Sequence, residues 1–195
     1  IGHQFAANHT FNGVDGSCGG GWYPFTAFEP GAGSTIMAYA GICGVDNITP
    51  VSDPYFHGGS IVEINSFLLG AGGSCAEVDT IQNLAPLINT PPDRKYIPVL
   101  TPFELSAEVR DEAYGRLSYS WEQVDRGAQT PLGNYGVGNE PLFRSFLPDS
   151  IPRRVFPNLP DLLNNRSQAV ELLPNRSREL NFQLTVRNPD SSGSA

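Results

Sequence analysis

Two histidines at the start of the chain are the residues best suited to do chemistry. His3 and His9 lie six positions apart in the opening segment IGHQFAANHTF. Imidazole is the commonest metal ligand among protein side chains, and closely spaced histidines are typical of zinc sites. A bare pair also occurs by chance, so its interpretation depends on the residues around it.

Those surroundings make GHQFAANHTF resemble the second half of the metzincin zinc signature, H-E-x-x-H-x-x-G-x-x-H, in the form that reprolysin-like peptidases carry. The resemblance implies that His3 and His9 are the second and third ligands of a Zn²⁺ ion. It also implies that the first histidine and the glutamate general base precede Ile1. The family has glycine at the turn between the ligands, where this chain has Ala6. If that turn needs a positive φ, alanine costs on the order of 1 kcal/mol there.

A second motif, STIMAYAGIC at residues 34–43, resembles the Met-turn of the same family. Met37 is the only methionine of the chain. The resemblance implies that its flexible thioether packs beneath the metal-binding histidines without binding the metal; an ordinary core methionine is the alternative. Tyr39 occupies a position where astacins and serralysins have a tyrosine that contacts zinc or stabilises the oxyanion. Tyr39 is therefore a candidate catalytic residue, and a buried structural tyrosine is the alternative.

The cysteines form an odd set: Cys18, Cys43 and Cys75. Their number leaves two interpretations open, either three buried thiols or one disulfide plus a cysteine whose partner lies elsewhere. The second interpretation indicates an oxidising compartment. The family resemblance implies that Cys18 pairs with Cys43. It also implies that Cys75 reaches the N-terminal half of the catalytic domain, which this chain lacks.

Two further ionisable residues have weaker claims to function. His57, in DPYFHGG, falls where the primed-side wall of the peptidase is expected, and a capping or surface histidine is the alternative. Glu29, in AFEPGAGSTIM, is interpreted as a loop carboxylate rather than a catalytic base.

The elements that would position these residues change character at residues 89–98, NTPPDRKYIP. Before this stretch the chain is glycine-rich and irregular, and one helix is predicted over residues 57–70, with Gly70 as its stop. After it, apolar and polar residues alternate. The alternation occurs in PFELSAEV, RLSYSWEQV and RELNFQLTVRN, and it predicts half-buried antiparallel strands.

We therefore predict a mainly β fold with an irregular, α-containing N-terminal part. The metzincin resemblance implies that residues 1–88 are the incomplete C-terminal subdomain of a metzincin catalytic domain, and the alternation predicts an Ig-like β-sandwich over residues 89–188. Residues 189–195 would be a disordered tail. The start of the second part resembles the PKD- or cadherin-like modules of bacterial secreted peptidases. Its turn RDEAYGR has too few carboxylates for calcium, and Trp121 is expected in the core.

The composition argues against two classes of partner. The formal net charge is −8 with 12 Lys and Arg residues, whereas a nucleic-acid-binding surface needs clustered cations. No apolar run approaches the roughly 20 residues of a membrane span. The acidic, lysine-poor composition is compatible with a secreted protein.

Taken together, the resemblance implies that the parent protein is a secreted, bacterial zinc endopeptidase. A zinc-activated water would hydrolyse the peptide bonds of its polypeptide substrates. With two ligands and no general base, this chain alone is expected to be inactive. The alternative is an accessory β-sandwich for binding or adhesion that retains a non-catalytic remnant of a peptidase.

Overall fold

The computed structural model describes residues 1–78, 85–89, 94–110, 116–134 and 138–188. Within them, the helices are α1 (Cys18–Gly21), α2 (Gly58–Leu69) and α3 (Leu159–Leu163), with 3₁₀ turns at Gly2–Phe5, Gly44–Asp46 and Ala71–Gly73. The strands are β1 (Leu87–Ile88), β2 (Phe103–Ser106), β3 (Val109–Arg110), β4 (Ser118–Gln123), β5 (Arg153–Phe156) and β6 (Phe182–Arg187). The described fold thus combines small sheets with a few short helices.

The helix predicted over residues 57–70 is confirmed as α2. Its N-cap is His57, whose Nδ1 accepts a hydrogen bond from the backbone N–H of Gly59 at 3.0 Å. At the other end, the N–H of Gly70 donates to the carbonyl of Ser66 at 3.1 Å. A capping acceptor at the start and a glycine at the end set these limits, as the sequence indicates.

All three segments with alternating apolar residues contain strands, but the sheets they form are small. Antiparallel pairing joins β1 with β3, β2 with β5, and β4 with β6. The strand β5 has no counterpart in the sequence prediction. The described strands therefore form three two-stranded sheets, and the Ig-like sandwich stays a prediction.

The two longer strand pairs enclose one aromatic core. Phe103 of β2 stacks on its cross-strand partner Phe156 of β5, with ring centroids 5.0 Å apart, and Phe182 of β6 lies 4.6 Å from Phe156. Trp121 packs against this cluster while its indole N–H donates to the carbonyl of Pro152 at 3.3 Å. Trp121 is partly buried, so it packs on the edge of the core rather than inside it as expected.

Hydrogen bonds join the two predicted parts of the chain. Glu122 of β4 accepts from the N–H of Gly58 at 2.8 Å, and the side-chain amide of Gln129 donates to the carbonyl of Gly13 at 2.6 Å. The boundary predicted at residue 88 stays a prediction. The acidic turn at residues 111–115 and the tail at residues 189–195 lie outside the described residues.

The strand β5 places a buried ion pair behind the core. Arg154 donates to Glu171 at 2.7 Å, and Glu171 also accepts from the N–H of Asn158 at 2.9 Å. Burial raises the pKa of Glu171 to about 7, although the charge of Arg154 acts in the opposite direction.

This raised pKa gives the fold a specific pH dependence. Between the ordinary value of 4.5 and about 7, the folded state holds the Glu171 proton more tightly than the unfolded state. The contribution of Glu171 to the free energy of unfolding is therefore fully present below 4.5 and is lost as the pH rises to about 7. Glu171→Gln lacks this dependence, so the variant should gain stability relative to wild type across that window. Denaturant unfolding at several pH values measures the difference, with Glu179→Gln, at an exposed carboxylate, as the control. A difference that stays constant with pH contradicts the prediction.

Candidate metal half-site

The structure brings the rings of His3 and His9 together. Their centroids lie 4.8 Å apart in an edge-to-face arrangement. The contact is possible because the chain reverses at Ala6, which caps the 3₁₀ turn Gly2–Phe5 with φ 62° and ψ 14°. The positive φ considered for Ala6 is thus the conformation that the structure contains.

Both imidazoles are oriented by backbone carbonyls. The Nδ1 of His3 lies 2.8 Å from the carbonyl oxygen of Ala7, and the Nδ1 of His9 lies 2.6 Å from that of Gly21. A carbonyl oxygen only accepts, so the proton of each neutral ring is on Nδ1, and Nε2 keeps a lone pair. Metal-binding histidines are oriented by a second hydrogen bond of this kind, and the two residues therefore fit a zinc ion.

This part of the chain offers two candidate ligands. Over the described ranges, no group of three or more His, Cys, Asp or Glu side chains is arranged to hold a metal ion. We call the candidate pair of ligands, His3 and His9, the metal half-site, and its binding of a metal stays a prediction.

Met37 lies between the residues that adjoin the two histidines. Its carbonyl accepts from the N–H of Thr10 at 3.2 Å, and its side chain is buried. On the other side its sulfur lies against Gly2, where an added Cβ would be only 2.2 Å from Sδ. The absence of a side chain at Gly2 therefore lets the thioether approach the turn that carries His3.

Tyr39 is part of an aromatic stack with His9. Its ring centroid lies 4.4 Å from that of His9 and 4.6 Å from that of Phe11. A Cβ added at Gly21 would be 3.2 Å from the Tyr39 hydroxyl and 3.3 Å from Nδ1 of His9. The hydroxyl of Tyr39 and Nδ1 of His9 therefore both lie close to the backbone of Gly21. This packing gives Tyr39 a structural contact with His9, and its catalytic role stays a prediction.

Glu29, which the sequence interpretation set aside as a loop carboxylate, connects the two motifs. It is buried and accepts from the hydroxyls of Thr10 and Thr35 at 2.5 and 2.6 Å and from the N–H of Ser34 at 2.8 Å. With its oxygens occupied and no solvent access, it is not a catalytic base. A buried carboxylate needs hydrogen-bond donors around it. The sequence offers such donors in Thr10, which follows His9, and in Ser34 and Thr35, which begin the second motif. These residues are the signal that could have indicated a buried role for Glu29.

His57 is buried rather than exposed, so the surface alternative is wrong and the capping alternative is confirmed. Besides capping α2, its ring stacks on Phe28 with centroids 5.2 Å apart. Its Nε2 lies 4.0 Å from Oε1 of Glu122. A ring enclosed in this way has no surface to offer a substrate.

The cysteines are arranged as one disulfide and one thiol. Cys18 and Cys43 are joined, with their Cα atoms 5.3 Å apart, and Cys75 is exposed and free. The alternative of three buried thiols is therefore wrong. The disulfide lies in a core cluster with Phe11 and Ala32, against which Tyr39 packs.

Comparison with known proteins relates the N-terminal part of the chain to a peptidase family. Residues 1–68 match the family described as Metallo-peptidase family M12B Reprolysin-like. No curated protein and no solved structure matches the chain. The matched range includes His3, His9 and Met37, and it supports a metalloprotease origin for this part of the chain. M12B peptidases use zinc. No helix in the described ranges has the length and apolarity to cross a bilayer.

The conformation of Ala6 leads to a stability prediction. Because a left-handed φ is unfavourable for alanine and not for glycine, Ala6→Gly should raise the free energy of unfolding by about 1 kcal/mol. Ala7→Gly is the matched control. Ala7 is buried and does not have a positive φ, so its substitution should lower stability. Chemical denaturation measures both variants, and a loss of stability in Ala6→Gly would contradict the prediction.

Proposed function

We propose that this chain is a fragment of a secreted zinc-dependent endopeptidase, in which His3 and His9 supply two of the metal ligands. The observation that carries the proposal is the pair of imidazoles, each with Nδ1 on a backbone carbonyl and Nε2 left as a potential ligand atom. The family match over residues 1–68 supports it independently.

Contacts in the structure support the roles that we propose for the surrounding residues. Met37 forms the floor between the turn of His3 and the segment of His9, and Glu29 ties that segment to the second motif. Tyr39 supports the ring of His9 by packing. Zinc, when bound, supplies Lewis-acid activation of water and of the scissile carbonyl of a polypeptide substrate.

The half-site alone lacks what hydrolysis requires. A catalytic zinc has three protein ligands, and the reaction needs a general base. We propose that the third ligand and the base come from the N-terminal half of the catalytic domain, preceding Ile1. The exposed side chains of Ile1, Val62 and Leu69 offer apolar surface for that half, and the exposed thiol of Cys75 offers a covalent link.

A second candidate is a β module for binding or adhesion that retains a peptidase remnant. The observation that favours it is the separate aromatic core around Phe143 and Phe156, which lies outside the matched residues 1–68. Such a module would keep its partner affinity whether or not zinc is present.

Zinc titration tests whether the half-site binds metal. Added zinc should shift the imidazole NMR signals of His3 and His9, because their Nε2 atoms are the ligand atoms. His57 is an internal control, since its buried ring caps α2 and should not respond. Shifts at His57 alone, or at none of the three histidines, would refute the half-site.

A longer chain tests the enzyme itself. Extended at its N-terminus by the parent sequence, the chain should bind one zinc ion and cleave a denatured protein substrate. His9→Ala in the extended chain should abolish cleavage, because one of three ligands is lost. An extended chain that neither binds zinc nor cleaves would favour the binding module instead.

A further inference from the structure

We propose that Glu63 of α2 is a positioning residue for His9, and that it links the metal half-site to the C-terminal strands β4 and β6. The inference rests on the proposed function, because it concerns His9 as a metal ligand. It assigns a role in the site to a residue that lies 54 positions away along the chain.

Glu63 holds both amide groups of the residue that precedes His9. Its Oε2 accepts from the backbone N–H of Asn8 at 3.0 Å, and its Oε1 accepts from Nδ2 of Asn8 at 2.7 Å. One carboxyl group thus fixes the backbone and the side chain of Asn8 together.

The backbone on the other side of His9 is fixed by different residues. The carbonyl of His9 accepts from the hydroxyl of Thr26 at 2.6 Å, and the hydroxyl of Thr10 donates to Glu29. These contacts lie within the N-terminal core. The turn before His9 contains Ala6 in its unfavourable left-handed conformation and is held by local hydrogen bonds from Ala6 to His3 and from Ala7 to Gly2. Helix α2 adds a restraint from outside the turn. Glu63 provides it.

The helix that carries Glu63 is anchored at its N-terminus by the C-terminal strands. Glu122 of β4 accepts from the N–H of Gly58, and Arg187 of β6 donates to the carbonyl of Phe56 at 2.9 Å. Gly58 packs so closely that an added Cβ would lie 2.6 Å from Oγ1 of Thr185.

Glu63 itself follows Gly58 by five residues, or about 7.5 Å along the helix axis. Of the residues of α2, Gly58, Gly59 and Ser60 are the buried ones. The strands therefore set where the helix begins, and the helix sets where Glu63 meets Asn8.

Glu63→Ala and the nearly isosteric Glu63→Gln test the positioning role in the full chain. The metal-free readout is the ¹⁵N NMR spectrum of the imidazoles at a pH of about 8, which reports the tautomer of each neutral histidine. Loss of Asn8 anchorage should shift His9 from the Nδ1–H tautomer towards a mixture and weaken zinc binding about tenfold. Glu63→Gln keeps one acceptor oxygen and should give an intermediate result. Asn65→Ala, at an exposed position of the same helix, is the matched control and should behave as wild type.

The outcomes separate a positioning role from a structural one. If Glu63→Ala retains the His9 tautomer and the zinc affinity of wild type, the proposal is overturned. It is also overturned if the spectra of all three histidines change together with a large fall in melting temperature, since that indicates general destabilisation. If wild type does not bind zinc but Glu63→Ala still changes the tautomer of His9 alone, the proposed function fails and the positioning role stands.

Gly58→Ala tests the link to the strands. The added methyl group should displace the start of α2 away from Thr185. This displacement should weaken zinc binding, as Glu63→Ala is expected to do. An unchanged zinc affinity and His9 tautomer in Gly58→Ala would overturn the link to β4 and β6.

Discussion

The hydrogen bonds from the two Nδ1 atoms to the carbonyls of Ala7 and Gly21 are the constraint on which the half-site depends. They decide which nitrogen of each imidazole carries the proton, and therefore which nitrogen is left with a lone pair. They also require both carbonyls to be at fixed places near the rings. The reversal at Ala6 provides the first of these carbonyls, and Gly21, the last residue of α1, provides the second; α1 begins at the disulfide-bonded Cys18.

In the N-terminal part of the chain, buried carboxylates accept hydrogen bonds from backbone N–H groups, as backbone carbonyls do in a regular sheet. The N-terminal part has little regular structure, so its backbone N–H groups need other acceptors. Glu29 accepts from Ser34 and Thr35, and Asp46 accepts from the N–H groups of Val14 and Leu132. Glu29 also accepts from the hydroxyl of Thr10 and so joins the two motifs, while Asp46 joins Val14 to a residue of the C-terminal part. An irregular chain segment thereby gains defined positions for the residues next to the metal half-site.

Local patterns in the sequence indicated the parts of this structure that local interactions determine. The spacing of His3 and His9, the single methionine, the helix α2 and the strand β4 all have short-range signatures. The role of Glu29 was missed because its donors belong to two separate motifs. Glu63 was missed because nothing in the helix sequence indicates that its carboxylate meets Asn8. The strand β5 went unnoticed because RRVF has two charged residues and no alternation, and it pairs with β2 across some fifty residues of chain.

The hydrogen bonds between Asn8 and Glu63 affect whether Asn8 can be glycosylated. Asn8, His9 and Thr10 form an N-x-T acceptor sequence for N-linked glycosylation. In the folded chain, the amide nitrogen that would carry the sugar donates to Glu63, and the hydroxyl of Thr10 is buried against Glu29. A eukaryotic secretory host could therefore attach a glycan to Asn8 only before folding. The attached sugar would then compete with the Glu63 carboxylate for the same position.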